Sequence, residues 1–148
     1  MEQSAGDLTR LREMLTAIEF FSKLKIHEIE EVLGVVELRP FRKGEALIKE
    51  GEPGDAFYII SRGRVGVFKS RLFMKTRVAT RTPGEYIGEM ALVEDSPRTA
   101  TVIADEDGEA FRIYRKSFSS ILMKNSAIAG LIREVVNRRH AETRSAGF

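Results

Sequence analysis

Residues 84–102 read Gly84-Glu85-Tyr86-Ile87-Gly88-Glu89-Met90-Ala91-Leu92-Val93-Glu94-Asp95-Ser96-Pro97-Arg98-Thr99-Ala100-Thr101-Val102. A helical turn that begins at Gly88, directly after a short apolar segment, points unbonded backbone N–H groups outward, and such groups bind anions. Arg98 adds a planar guanidinium suited to two hydrogen bonds with a phosphate. Glu89 adds an acceptor, which suits a ligand that also carries a hydroxyl group. These residues predict a site for a small phosphorylated, hydroxylated ligand.

A second interpretation of the same residues needs no ligand. Glu89 would cap the short helix and pair with Arg98 on the protein surface, an arrangement that is frequent and contributes little to stability. The residues alone leave both interpretations open.

Short segments rich in β-branched and aromatic residues lie on both sides of this stretch, separated by turns that contain glycine. The predicted strands are Ala46–Ile48, Ala56–Ile60, Val65–Lys69, Lys75–Thr80, Glu85–Ile87, Thr99–Ile103 and Ala110–Tyr114. Many short strands, with turns about 8–12 residues apart, are typical of a β-barrel or a β-sandwich.

Apolar residues at helical spacing precede and follow the strands. Leu8–Ile18 and Ile26–Val36 carry an apolar residue at every third or fourth position, as amphipathic helices do. The helical period returns at Ser117, and Asn125 or Ser126 is predicted to cap a helix that ends near His140. Helices, then strands, then helices predict an α+β fold. The expected segments are N-terminal helices in 1–38, a barrel in 39–116, and C-terminal helices with a tail in 117–148.

The composition excludes several classes of protein. The chain has 148 residues, 43% of them hydrophobic and 31% charged, which predicts one globular domain and argues against disorder. Cysteine is absent, so disulfide scaffolds, thiolate zinc sites and cysteine nucleophiles are excluded. Two isolated histidines, His27 and His140, cannot supply the metal cluster of a cupin-like enzyme. With no apolar segment near 20 residues and no signal peptide, we expect no membrane span and a cytoplasmic location.

Positive charge is unevenly distributed although the formal net charge is only +2. Residues 62–81 carry seven basic side chains and no acidic one, and residues 112–148 carry eight basic against two acidic. Such patches attract nucleic acid or an anionic surface. The alternation of charge with Val65, Val67 and Val78 favours the simpler interpretation of a solvated strand face and a basic helix end.

The segment Gly88–Leu92, followed after four residues by Pro97–Val102, resembles the phosphate-binding cassette of cyclic nucleotide-binding domains. The upstream segments Arg42–Glu45, Glu50–Ile60 and Gly63–Val67 resemble the strand and turn pattern of that family. The resemblance covers roughly residues 20–140. It implies a β jelly-roll barrel with the cassette in 84–102 and cAMP or cGMP held in the barrel mouth.

The resemblance also implies a role for each site residue. Glu89 would accept a hydrogen bond from the ribose 2′-hydroxyl, and Arg98 would bind the cyclic phosphate, helped by backbone N–H groups of Gly88, Ala91 and Ala100. Gly88 would be required because a side chain there would crowd the sugar. Val67 and Ala79 would form the barrel wall against the base. The implied ligand-binding set is Gly88, Glu89, Met90, Ala91, Arg98, Thr99, Ala100, Val67 and Ala79.

Two positions bear on how closely the family pattern applies. Ile87 stands where the family often has phenylalanine, which changes packing more than ligand chemistry. Thr99 follows the arginine, and a threonine there bonds a guanine amino group in some relatives but also occurs in cAMP binders. The base preference stays open, with cAMP taken first.

The last helix closes over the base in this family when ligand binds. Leu131, Ile132 and Val135 are therefore candidates for an apolar lid, and Arg133 for a polar contact. Only a higher affinity of the ligand for the closed state could move the helix. Ordinary core packing predicts the same apolar stripe.

The expected function is that of a non-catalytic cyclic nucleotide receptor with no cofactor besides its ligand. Eight residues follow His140, too few for a DNA-reading helix pair, so we expect a free-standing sensor that binds an unidentified effector protein and not DNA. One alternative is a partner-binding module with an idle nucleotide pocket. Another is a regulatory domain excised from a larger channel or effector protein.

Overall fold

Strands occupy the middle of the chain and helices its two ends in the computed structural model, which describes residues 5–145. The strands span Glu37 to Tyr114, so the barrel limits lie two residues from the expected 39 and 116. Parts of the expected terminal segments, 1–4 and 146–148, lie outside the described residues.

Five helices flank the strands in the described part of the chain. They are α1 (Ala5–Ala17), α2 (Glu19–Ser22), α3 (Ile26–Leu33), α4 (Arg115–Lys124) and α5 (Ala127–Ser145). The prediction that the last helix ends near His140 was wrong, because residues 131–145 contain neither the glycine nor the proline that would end it. Within residues 5–145, no helix is both long and apolar enough to cross a bilayer.

Eight strands form the β-structure of residues 5–145. They are β1 (Glu37–Phe41), β2 (Ala46–Ile48), β3 (Ala56–Arg62), β4 (Val65–Arg71), β5 (Met74–Arg81), β6 (Tyr86–Ile87), β7 (Thr101–Ala104) and β8 (Gly108–Tyr114). All seven predicted strands are confirmed, with ends that differ by up to two residues. Strand β1 was not predicted because it contains Pro40, which lacks a backbone N–H and is tolerated at the edge of a sheet.

The strands pair into two antiparallel four-stranded sheets. One sheet has the order β1-β8-β3-β6 and the other β2-β7-β4-β5. Strands distant in sequence become neighbours, as in a jelly roll. This is the predicted α+β jelly-roll barrel with helices at both ends.

Strand β3 is buried on both faces and divides the apolar core in two. Phe57 and Ile59 pack in a cluster with the helices, together with Phe111 and Ile113 of β8. Successive side chains of a strand point to opposite faces, so Tyr58 and its alternate neighbours pack in a second cluster inside the barrel. The β1-β8-β3-β6 sheet therefore lies between the helices on one face and the barrel interior on the other.

Candidate functional site

A cavity of about 380 Å³ opens between the strand pair β4–β5 and the segment that follows β6. Seven of the nine predicted ligand-binding residues line it: Val67, Ala79, Gly88, Glu89, Arg98, Thr99 and Ala100. Val67 and Ala79 are directly opposite each other on β4 and β5. The cavity is also lined by residues that were not predicted: Ile48, Lys69, Val78, Arg81, Ile87, Val102 and Arg139.

Met90 and Ala91 line a neighbouring cavity of about 470 Å³, which shares Gly88, Arg98 and Thr99 with the first. Both residues belong to a 3₁₀ helix, Glu89–Leu92, whose N-cap is Gly88. The Ala91 N–H donates to the Gly88 carbonyl at 3.1 Å. The contacts of Met90 and Ala91 with a ligand stay a prediction.

Gly88 adopts a backbone conformation that favours glycine, with φ of +76°. A Cβ atom at this position would lie 2.7 Å from Nη1 of Arg98 and 3.1 Å from the Ala56 carbonyl oxygen. The expected reason for this glycine was space for a sugar. The structure adds a different one, which is that the Arg98 guanidinium lies against the Gly88 backbone.

Arg98 is a buried cation whose ion-pair contact among the described residues is long. Its side chain is 9% exposed, and the nearest carboxylate, that of Asp55, lies 3.9 Å away and is itself largely in solvent. Nη2 donates to the neutral Ala56 carbonyl at 2.8 Å. Burial is the largest cause that lowers the pKa of Arg98 below its usual value. An anion in the cavity would reverse this effect.

Two loops joined by backbone hydrogen bonds position Arg98. The Arg98 N–H donates to the Glu52 carbonyl at 2.8 Å, and the Gly51 N–H donates to the Arg98 carbonyl at 2.9 Å. The Gly54 N–H donates to the Ser96 carbonyl at 3.0 Å. These hydrogen bonds fix the main chain at residue 98. The position of the guanidinium is therefore set by the two loops as well as by the rotamer of its own flexible side chain.

Arg115, at the start of α4, fastens the same loops to the rest of the fold. Its Nη1 donates to the Gly54 carbonyl at 2.6 Å and to the Glu94 carbonyl at 3.2 Å. The Arg115 guanidinium thus donates hydrogen bonds to carbonyl groups of both loops.

Glu89 is buried, with 7% of its surface exposed. Its ion-pair partner is Arg139 of α5, at 3.1 Å. The interpretation of Glu89 and Arg98 as a surface ion pair was wrong, because both side chains are buried and Glu89 pairs elsewhere.

Arg139 connects the last helix to the cavity. Its Nη1 donates to the Tyr86 carbonyl at 3.0 Å and to Glu89 at 3.1 Å. Its guanidinium also lies 4.0 Å from the centre of the Tyr86 ring, a cation–π contact. The sequence signal for Arg139 is the apolar spacing Ile132, Val135, Val136, which places position 139 on the same helix face but does not pair it with Glu89.

The four predicted lid residues lie on α5 but do not line the cavity. Ile132 and Val135 are buried in the helical core cluster, and Leu131 packs against it. Arg133 donates to the Glu94 carboxylate at 3.4 Å. Their role as a lid over the base stays a prediction.

Part of the positive charge in residues 62–81 is offset by acidic residues near β8. Arg77 and Arg64 both contact Asp105, at 2.8 Å and 3.2 Å, and Arg62 contacts Glu109 at 3.2 Å. These pairs agree with a solvated strand face. Across the described residues, no group of three or more histidine, aspartate or glutamate side chains could hold a metal ion.

The sequence matches the family model described as "Cyclic nucleotide-binding domain" over residues 38–125. The cAMP-dependent protein kinase regulatory subunit of Aspergillus niger is 29% identical over 129 residues, 87% of this chain and 29% of the subunit. The cyclic AMP receptor protein of Thermus thermophilus is 28% identical over 123 residues, 82% of this chain and 57% of that protein. The chain thus spans less than a third of the length of the matched kinase regulatory subunit.

A solved structure agrees with these matches. The regulatory domain of Toxoplasma gondii PKA in complex with cAMP superimposes with a TM-score of 0.78 at 26% identity, covering 81% of this chain and 46% of that one.

Proposed function

The chain belongs to the cyclic nucleotide-binding domain family, and from this premise we propose that it is a non-catalytic receptor for a cyclic nucleotide, with cAMP the first choice and cGMP the second. The proposal includes transmission of occupancy through the terminal helices to an effector protein. A cytoplasmic location and the existence of an effector protein remain predictions.

The observation that carries the proposal is the buried, under-compensated guanidinium of Arg98. A cation in this state binds an anion with charge-assisted hydrogen bonds, which are stronger than neutral ones. The cyclic phosphate of cAMP or cGMP carries one negative charge. The 3₁₀ helix that follows Gly88 contributes Glu89 to the lining of the same cavity as Arg98, and the Glu89 carboxylate can accept a hydrogen bond from a ribose hydroxyl.

Arg139 supplies the route by which occupancy would reach the helices. Its guanidinium is bonded to Glu89, the same carboxylate that would accept the ribose hydroxyl. A ligand that changes the position or hydrogen bonding of Glu89 changes the contact that holds the end of α5. Binding energy that differs between two positions of α5 would shift the helix between them.

Titration calorimetry of the chain with cAMP and with cGMP, after unfolding and refolding to remove any bound ligand, tests the proposal. We expect a Kd in the micromolar range or lower, about −8 kcal/mol or better. Arg98→Ala should weaken binding by about 2–5 kcal/mol, because one partner of a buried charge pair is lost. Arg62→Ala is the matched control, since Arg62 does not line the cavity and should leave the Kd unchanged.

A folded, ligand-free sample that gives no heat with either nucleotide would contradict the proposal. It would favour a partner-binding module whose pocket is idle, with Arg139 occupying Glu89 permanently. Equal affinities of the Arg98→Ala variant and the parent chain would show that the phosphate binds elsewhere.

A further inference from the structure

The turn between β4 and β5 exposes three consecutive apolar side chains. Relative exposure is 85% for Leu72, 108% for Phe73 and 69% for Met74. Leu72 and Phe73 form the two-residue turn itself, because Arg71 and Met74 are the last paired residues of the two strands. Three adjacent apolar side chains at a protruding tip are an exposed patch of the kind that marks a contact surface.

The backbone of this turn is also strained. Leu72 has φ of +50° and Phe73 of +66°, and across the described residues these are the non-glycine positions with positive φ. A two-residue turn with positive φ at both positions strongly prefers Asn-Gly, which adopts this conformation easily. Leucine and phenylalanine here reduce both the stability of the turn and the solubility of the surface. Such a combination at one site favours a role for the side chains themselves.

Basic side chains form a collar directly behind the apolar tip. Lys69 and Arg71 lie on one face of the hairpin, opposite Thr76 and Met74, and Lys75 lies on the other face, opposite Ser70. The collar also contains one acidic contact, because Glu50 accepts a hydrogen bond from the Ser70 N–H at 3.1 Å. The tip is therefore apolar, and its collar places three basic side chains against this one carboxylate, with basic side chains on both faces.

We propose that the β4–β5 hairpin docks on an anionic phospholipid membrane, with Leu72, Phe73 and Met74 inserted among the lipids and Lys69, Arg71 and Lys75 at the headgroups. A bilayer surface is apolar below and negative all round the point of entry, which matches a convex apolar tip inside a positive collar. A nucleic acid would satisfy the cations and leave three apolar side chains without a matching surface. This inference goes beyond nucleotide binding and does not depend on it.

Vesicle co-sedimentation of the full chain tests the proposal. We expect binding to vesicles of phosphatidylcholine and phosphatidylserine in a roughly 7:3 ratio, little binding to phosphatidylcholine alone, and weaker binding when salt is raised from about 0.1 M to about 0.5 M. Lys75→Glu should weaken binding by about 25-fold, because it removes one positive charge and adds one negative charge, and each unit of charge near such a surface changes binding by about fivefold.

The double variant Leu72→Asn with Phe73→Gly separates membrane contact from folding. It installs the preferred residues of this turn, so the thermal unfolding midpoint should stay equal or rise while vesicle binding falls by about tenfold or more. Met123→Ala is the matched control, because Met123 is an equally exposed apolar residue on α4, at 88%, and should leave vesicle binding unchanged.

Three results would overturn the proposal. The first is equal binding to neutral and anionic vesicles, and the second is full vesicle binding by the double variant. The third is that the parent chain does not bind vesicles but self-associates or binds DNA through the same hairpin. Light scattering and a DNA mobility shift on the parent chain and the double variant detect the last of these.

Discussion

Gly88 shows how a single residue can serve both the backbone and the site. Its positive φ starts the 3₁₀ helix, and its missing side chain leaves room for the guanidinium that would bind phosphate. The glycine, Glu89 and Arg98 could be predicted from the sequence because all three lie within one short segment. Arg139 could not be placed at the site in the same way, because it lies 50 residues from its partner Glu89.

Gly88→Ala should destabilise the fold by about 1–2 kcal/mol, the usual cost of a left-handed conformation for a residue with a Cβ atom. It should also weaken nucleotide binding, because the new methyl group displaces Arg98. Urea unfolding and calorimetry measure the two effects. Gly130→Ala is the control, since a Cβ atom there meets nothing within 4 Å and alanine stabilises a helix by up to about 1 kcal/mol. Unchanged binding by Gly88→Ala would show that Arg98 has another position open to it.

The secondary-structure elements that the sequence analysis did not predict are short or contain a residue that is unfavourable in that type of element. Helix α2 has only four residues, too few for a helical period to appear. Its Phe20 and Phe21 are both fully buried, so tertiary packing and not local preference holds it in place. Strand β1 was missed because of Pro40, whose tolerance depends on being at a sheet edge, and sheet order cannot be seen in a sequence.

Helix α3 depends on a charge at its beginning. The Lys25 N–H donates to the Glu28 carboxylate at 2.8 Å, and this bond is the main cause that lowers the pKa of Glu28 below 4.5.

Glu28→Gln keeps an acceptor but removes the charge, so it should lower the free energy of unfolding by about 0.5–1 kcal/mol at pH 7. The charged form contributes fully above pH 4.5, and the contribution is lost as the pH falls through the lower pKa of the folded state. The difference in unfolding free energy between parent and variant should therefore shrink in acid. A difference that is constant with pH would contradict this explanation.

The end of α5 depends on Arg139 in the same way. Arg139→Ala should speed hydrogen exchange of the α5 backbone beyond Val136, because the bonds to Tyr86 and Glu89 are lost. The neighbouring Arg138 pairs with Glu19 at 3.0 Å on the surface, with both side chains more than half exposed. Arg138→Ala is thus the matched control, and such a surface pair contributes little. Equal exchange rates in the two variants would show that α5 is held by its apolar face alone.

At the scale of the whole molecule, β3 and β8 each contribute buried residues to both core clusters. Strand β3 could be predicted from the sequence because it is rich in β-branched and aromatic residues. The burial of both of its faces could not be predicted, because it depends on helices that are distant in the chain.

Phe57→Ala should lower the unfolding free energy by about 3–5 kcal/mol, since a fully buried ring is removed from the helical cluster. Because Tyr58 and Ile60 of the same strand belong to the barrel cluster, the whole domain should still unfold in one transition. Far-ultraviolet circular dichroism follows helix and strand loss together, and near-ultraviolet dichroism follows tyrosine packing. Two separated urea transitions would show that the helices and the barrel are independent units.

The contact between Arg139 and Tyr86 has an optical consequence. The chain has no tryptophan and three tyrosines, so its intrinsic emission comes from tyrosine. The Tyr86 ring lies between the aromatic residues of the core, Phe20 and Phe57, and the guanidinium carried by α5. Any displacement of α5 removes a cation from the face of a chromophore. Tyr86 is therefore an intrinsic fluorescent reporter of α5, and the kinetics of helix displacement can be followed by stopped-flow fluorescence without a dye.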